Sequence, residues 1–311
     1  MTPTELKAIK RRAMLQLQAL IEKANQAYHR GEPILTDAEY DTAYRRLQAL
    51  EQAHPELIPD SPTQRVGAPV TGSLPKIRHR TPMLGLDAVY SVQEYQAWHR
   101  RLAETLGNPP SIPLVGEVKL DGVAVSLVYR YGVLYTAATR GDGTQGLDIT
   151  HHARAMRALP GRPSLRRTPP EWLEVHGEVV VGLEAFQLAA NRAYDHPRTA
   201  AAATLQSNDP ANTLRRGLEF IAYSLCDPLA LNDSHTNALS ELIALGFRVG
   251  PYGTALENAE SVFMFLRQAK TLRNVIPYPA DGVVIKVNSS LQQKQAGSTS
   301  KAPRWAVAVK W

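Results

Sequence analysis

A chain of 311 residues, 44% apolar and 21% charged, has the size for one large domain or one large and one small, and the composition of a fold with a sizeable core. Its 35 Lys and Arg against 29 Asp and Glu leave a net +6, compatible with an anionic partner such as nucleic acid or a nucleotide and equally common on proteins with neither. The single Cys226 excludes an intrachain disulfide and a multi-cysteine zinc site; with no secretory apolar run and no stretch near ~18 apolar residues, a soluble cytoplasmic protein of a reducing compartment is expected.

The first stretch predicts helices. Thr2-Pro3-Thr4-Glu5 offers a cap, a proline at the first helical position and a glutamate, and Leu6, Ile9, Leu17, Leu20 and Ile21 recur at helical spacing until Tyr28-His29-Arg30-Gly31. A second helix opens at "TDAE", where Thr36 can cap and Glu39 reciprocate, and carries Tyr40, Ala43, Leu47 and Leu50 up to His54-Pro55. Residues 1–68 are therefore expected to form a small helical domain. The Pro-, Gly- and Ser-rich "PDSPTQRVGAPVTGSLP" joins it to a second domain over 69–311. One more helix, capped by Ser91 with Glu94 three residues on, precedes strands predicted at 113–120, 122–130, 133–139, 172–182 and 219–226. Helices near 235–246 and 258–272 and last strands at 282–288 and 304–310 complete an α+β fold with largely antiparallel sheets. There is no internal repeat.

"EVKLDGVAV" at 117–125 places a lysine between two carboxylates inside a valine-rich run. Alternation along a strand puts Glu117, Lys119 and Asp121 on one face, with Val118 and Leu120 on the other. A lysine in water, with a pKa of about 10.4, is a poor nucleophile, and desolvation in a cleft favours its neutral amine. Ionised Glu117 and Asp121 oppose that, so they would orient the lysine, hold a metal or bind substrate; the plain alternative is a surface ion pair.

Lys-Leu-Asp-Gly at 119–122 resembles the first motif of the polynucleotide ligase and capping-enzyme nucleotidyltransferases, and four further motifs follow in order. These are "TRGDGTQG" at 139–146, "EVHGEVVV" at 174–181, "DGVVIKVN" at 281–288 and "KAPRWAVAVKW" at 301–311. "YHRGEPILTDAEYD" at 28–41 resembles the N-terminal signature of the bacterial NAD-dependent DNA ligases, as do "HPELIPDSPTQRVG" at 54–67 and "PMLGLDAVY" at 82–90. The likeness covers nearly the whole chain and the front half of a typical ligase of that family, stopping one residue past Lys310.

The resemblance implies that Lys119 attacks the α-phosphorus of NAD, expelling nicotinamide mononucleotide and leaving a lysyl-AMP destined for the 5′-phosphate of nicked DNA. It further implies that Lys286 and Lys310, with Arg140 and Arg198, meet phosphate; that Glu178 accepts from the ribose hydroxyls; that Tyr223 stacks on adenine; and that Glu117 and Leu86 belong to the nucleotide site. Asp281 is the expected carboxylate for a magnesium ion or its water. Asp37, Tyr40 and Asp41 share a helix face, with Tyr28 and His29 at the end of the preceding helix, and together suit the cationic nicotinamide ring.

Departures from the family pattern are Gly85 and Ala88, the run "HPRTAAAATLQ" at 196–206, and "PADG" at 279–282. A monomer that needs further C-terminal modules to grip duplex DNA and seal nicks is expected. Two other readings remain: an ATP-dependent polynucleotide ligase or capping-type enzyme, which the 28–41 element opposes, and a non-catalytic nucleotide-binding paralogue, which the departures at Gly85 and "TAAAAT" would suit.

Overall fold

The computed structural model describes residues 3–29, 33–54, 61–64, 73–156, 158–164, 169–226, 233–256, 258–271 and 275–311. Two helices open the chain, α1 (Pro3–His29) and α2 (Asp37–Ala53). Thr36 and Glu39 close a capping box on α2: the Thr36 hydroxyl accepts the Glu39 N–H at 3.3 Å, and the Glu39 carboxylate accepts the Thr36 N–H at 2.8 Å. The helices pack through Met14, Ile21, Ala43 and Leu47. The apolar face expected on α1 needs correction. Leu6, Ile9 and Leu20 are exposed, and the buried line runs Met14, Gln18, Ile21, Ala24 and Ala27. Leu6 and Ile9 precede the part of the 27-residue α1 that the 17-residue α2 covers, whereas Leu20 lies within it but is turned about 100° from Ile21, off the buried line. Most of the expected joining segment lies outside the described residues; within it Pro62–Gln64 forms one 3-10 turn.

The rest of the chain interleaves strands and helices. In order come β1 (Lys76–Arg78), β2 (Asp87–Val89), α3 (Val92–Thr105), β3 (Leu114–Leu120), β4 (Val123–Arg130), β5 (Val133–Thr139) and β6 (Gln145–Leu147). Then follow α4 (Thr150–Ala155), β7 (Trp172–Val181), α5 (Leu183–Phe186), α6 (Pro197–Leu205), α7 (Ala211–Arg215) and β8 (Leu218–Leu225). The last part comprises α8 (His235–Ala244), β9 (Tyr252–Leu256), α9 (Ala259–Thr271), β10 (Ala280–Val287), α10 (Ser290–Ala296) and β11 (Ala306–Lys310). Two main sheets result, one ordered β2-β11-β10-β3-β9 and one ordered β5-β4-β7-β8, with β1 and β6 as a separate pair. Among the described residues every pairing of these strands is antiparallel except β11 with β2, so the fold is α+β with largely antiparallel sheets. Each main sheet has its own apolar core: Val125, Val175, Val179 and Phe220 behind the four-stranded sheet, and Val118, Val283, Ile285 and Val309 behind the five-stranded one. Among the described residues no helix is long and apolar enough to cross a membrane.

The chain passes from one sheet to the other at Asp121-Gly122, two residues after Lys119. A Cβ on Gly122 would lie 2.3 Å from the Val179 carbonyl oxygen, so only glycine lets β4 start that close to β7. Gly282 has the same role on β10, where a Cβ would lie 2.3 Å from the Val309 oxygen. Gly282 pairs with Lys119 on one side and Lys310 on the other, which brings those lysines to neighbouring positions across three strands.

Candidate active site

A cavity of about 1400 Å³ runs between the two sheets and onto the helical pair, and it is lined by Lys119, Glu178, Tyr223, Lys286, Lys310 and Tyr40, among others. Two irregularities in the ladders aim side chains into it. Between Ala280, opposite Leu120, and Gly282, opposite Lys119, Asp281 is the extra residue; Tyr223 is the extra residue between Ala222, opposite Gly177, and Ser224, opposite His176. Bulges of this kind re-aim one side chain without breaking the sheet.

Lys119 points into the cleft as the alternation requires, while Val118 and Leu120 join the core behind it. Its partner is Asp281: Nζ donates to Oδ1 at 2.8 Å, and the Asp281 Oδ2 lies 3.7 Å from Lys310 Nζ. Burial opposes the charge on Lys119, but the charge and hydrogen bond of Asp281, with Asp121 adding to them, hold the amine above the usual lysine range. Burial likewise opposes the charge on Asp281, yet Lys119 and then Lys310 hold its carboxyl below the ordinary range.

The carboxylates flanking Lys119 in the sequence make their closest ion pairs with other cations. Glu117 Oε1 lies 2.5 Å from Lys286 Nζ and 2.7 Å from His235 Nε2. Burial alone would raise the Glu117 carboxyl, but Lys286 and then His235 bring it to about 2. Asp121 Oδ1 lies 2.6 Å from Arg198 Nε, which also donates to the Gly122 carbonyl at 3.2 Å. Arg198 reaches this point from the first turn of α6, whose Ala200, Ala201 and Ala202 are buried; the "TAAAAT" run is thus a packed helix face. Gly85, the other departure, donates its N–H to the Lys301 carbonyl at 2.7 Å, and a Cβ there would be only 3.3 Å from that oxygen.

Glu178, on β7, is pushed up to about 7 by burial despite Lys119, Arg198 and Arg140 nearby. Tyr223 carries Lys286 Nζ 5.5 Å from its ring centroid, and its carbonyl accepts from the same ammonium at 3.2 Å. Lys286 therefore stands with Tyr223 and Glu117, while Lys310 pairs with Asp41 and Asp281. Arg140, on the turn between β5 and β6, has a buried Nε that finds no partner among the described residues. Leu86 lines the cavity and is 39% exposed.

The helical pair closes one end. Lys310 Nζ donates to Asp41 Oδ2 at 2.7 Å, so the last strand is tied to α2 across 269 residues of sequence. Around this pair Tyr40 stacks on Tyr44 at 5.9 Å, and the Arg45 guanidinium lies 4.3 Å from the Tyr90 ring centroid. Lys301 spans Asp87, at 3.0 Å, and the Tyr44 hydroxyl, at 3.4 Å. The side chains of Tyr28, His29 and Asp37 lie outside the described ones. Sequence reasoning missed His235, Arg45, Tyr44, Tyr90 and Lys301, none of which it had singled out, and it missed Asp281 as the partner of Lys119.

Residues 71–311 match the family described as the NAD-dependent DNA ligase adenylation domain, and residues 7–67 match the DNA ligase-like, N-terminal NAD+-binding domain. The chain belongs to the NAD-dependent DNA ligases. A DNA ligase of Parasynechococcus marenigrum (strain WH8102) is 40% identical over 311 residues, covering 95% of this chain and 46% of that protein, so the chain spans about half the length of the curated relative it matches. Among solved structures, a mycobacterial DNA ligase D complexed with ATP and MES aligns at 16% identity and a TM-score of 0.41, over 74% of this chain and 60% of that one. An archaeal ATP-dependent RNA ligase aligns at 14% identity and a TM-score of 0.41, over 74% and 48% respectively. For this ligase adenylation module the NAD+-binding match falls on the helical pair, and the adenylation match contains Lys119 and both main sheets.

Proposed function

We propose that Lys119 is the nucleophile that takes AMP from NAD, and that residues 1–68 act as the domain for the nicotinamide mononucleotide half while 69–311 form the nucleotidyltransferase domain. The observation that carries this is the position of Lys119: at the crossing between two sheets, in a cavity large enough for a dinucleotide, hydrogen-bonded to Asp281 and with Lys310 and Arg198 nearby. In the step, a lone pair on Lys119 Nζ forms the N–P bond as the P–O bond to nicotinamide mononucleotide breaks. The ammonium must first lose a proton; Asp281, with its carboxyl held low, orients the amine and is a poor base, and the Lys119 side chain is 20% exposed, so water has access.

Charge exchange supplies the remaining logic. Asp41 neutralises Lys310, and a diphosphate would offer Lys310 a stronger partner. Asp41, released beside the Tyr40–Tyr44 stack, then faces the pyridinium of the leaving group. The orphaned Nε of Arg140 suits a phosphate or ribose oxygen, and Glu178, half-protonated near neutral pH, suits the ribose hydroxyls. Tyr223 serves as the adenine platform with Lys286 at the base. Magnesium does not fit as a resident ion, because the two Asp281 oxygens face ammonium groups and no group of three or more metal-ligating side chains occurs among the described residues. It is proposed to enter with the diphosphate, keeping most of its waters. Nicked duplex DNA is the proposed eventual acceptor of AMP.

Lys119→Ala and Lys119→Arg test the reading. Neither offers a nucleophilic amine, since a guanidinium stays protonated. Both should bind NAD, measured by calorimetry, and neither should gain AMP by intact mass; an AMP adduct on either variant contradicts the assignment.

A further inference from the structure

Three buried groups form a cluster beside Tyr223: Glu117 on β3, Lys286 on β10 and His235 at the start of α8, each 7% exposed. His235 Nε2 lies 2.7 Å from Glu117 Oε1 and 3.3 Å from Lys286 Nζ. A carboxylate only accepts, so the histidine nitrogen facing it carries the hydrogen. That nitrogen cannot also accept from Lys286, and the 3.3 Å contact is the close approach of a cation. Burial and then the Lys286 charge hold His235 below its ordinary value, which leaves one neutral tautomer at physiological pH. The backbone fixes the ring as well: the His235 N–H donates to the Asn288 carbonyl at 2.8 Å, and the Thr236 N–H to the Asn288 side chain at 3.0 Å.

Both His235 and Lys286 address the same oxygen of Glu117, Oε1. Neither contact uses Oε2, and Glu117 lines the cavity. Lys286 spends one donor on Glu117 and one on the Tyr223 carbonyl, leaving a third for a ligand. A donor beside an acceptor, against an aromatic face, complements the edge of adenine, whose ring nitrogen accepts and whose exocyclic amine donates. Hypoxanthine presents the reverse at both positions, a ring N–H and a carbonyl.

We infer that His235 sets the nucleobase specificity of this site, by pinning Glu117 Oε1 so that the other carboxylate oxygen is held toward the amine of adenine. The inference rests on the reading that the cavity takes the adenylate half of NAD. His235 is a positioning residue here, acting through Glu117.

Binding of AMP and of IMP to the full-length chain tests this without any reaction at Lys119, so a failure of lysyl-AMP formation and a failure of base selection are read separately. The parent chain should prefer AMP. His235→Ala should weaken AMP roughly 10- to 100-fold, the range for a lost hydrogen bond to a charged group, while IMP changes by less than about threefold. His235→Gln, whose amide N–H can still reach Oε1, should restore most of the preference. Should the alanine variant not fold, His235→Leu reads the same lock, because it fills the buried space and offers no hydrogen to Oε1, and the AMP-to-IMP ratio should fall at least about tenfold. An unchanged AMP-to-IMP ratio in His235→Ala, or in His235→Leu where that variant stands in for it, overturns the inference, as does a glutamine variant at 235 no more selective than the variant that lacks the hydrogen.

Discussion

Charge at this site is sorted by pairing more than by exposure. Glu117, brought to about 2, and Glu178, pushed up to about 7, lie in the same cavity and differ because one has Lys286 and His235 in contact whereas the other has cations only at longer range. The difference makes a testable pH dependence. The folded chain keeps the Glu178 proton up to about pH 7, whereas the unfolded chain releases it near 4.5, so this residue favours the folded state most below pH 4.5 and progressively less up to about 7. The span corresponds to an order of 3 kcal/mol. Glu178→Gln removes the dependence, so its melting temperature should gain on that of the parent as pH rises from 4.5 to 7. A difference that stays constant across that range would mean Glu178 titrates normally.

Convergence of Lys119, Asp281 and Lys310 depends on how β10 is built. Gly282 lets β11 approach, and the extra residue Asp281 bulges toward both lysines. Gly282→Ala would force a methyl group to within 2.3 Å of a backbone oxygen that cannot rotate away. The expected loss is at least about 2 kcal/mol, with AMP attachment slowed more than stability alone explains, because the strands carrying the two lysines are pushed apart. Chemical denaturation and single-turnover adenylation on the same sample check both parts; a variant as stable and as fast as the parent would refute the close packing.

The same elements show what a sequence can disclose. The longer strands were legible because their apolar runs are bounded by turn residues: β3, β4, β5, β7, β8, β10 and β11 fall within about two residues of their expected ends. The three-residue strands β1, β2 and β6 and the short helices α4 to α7 carry no periodicity of their own and exist through tertiary pairing. At the site, Lys119 was legible from its motif, and its partner was not. A bond spanning 162 positions is fixed by a bulge, which leaves no mark on local pattern. His235 was invisible for the same reason, since its role comes from where α8 begins relative to β3 and β10.

The helical pair and the sheet region have separate cores and meet through polar contacts such as Lys310–Asp41, Lys301–Tyr44 and Arg45–Tyr90. A chain truncated before Thr71 should therefore fold with a cooperative transition of its own, since no described residue before Thr71 belongs to the apolar core of either sheet. It should also stop taking AMP from NAD, having lost Tyr40 and Asp41 and with them the groups that would hold the leaving half. Thermal unfolding and adduct formation on one preparation separate these effects; a folded, truncated chain that reacts with NAD at the parent rate would contradict the division of labour.

The proposed choice of NAD over ATP would rest on the same geometry, because Asp41 would attract a pyridinium and repel a pyrophosphate. Intact-mass analysis of the unmodified chain after incubation with magnesium and either NAD or ATP measures this directly. Gain of a single AMP from NAD, abolished by Lys119→Ala and absent with ATP, is the predicted result; an unchanged mass with NAD, or an adduct formed equally from ATP, would contradict it.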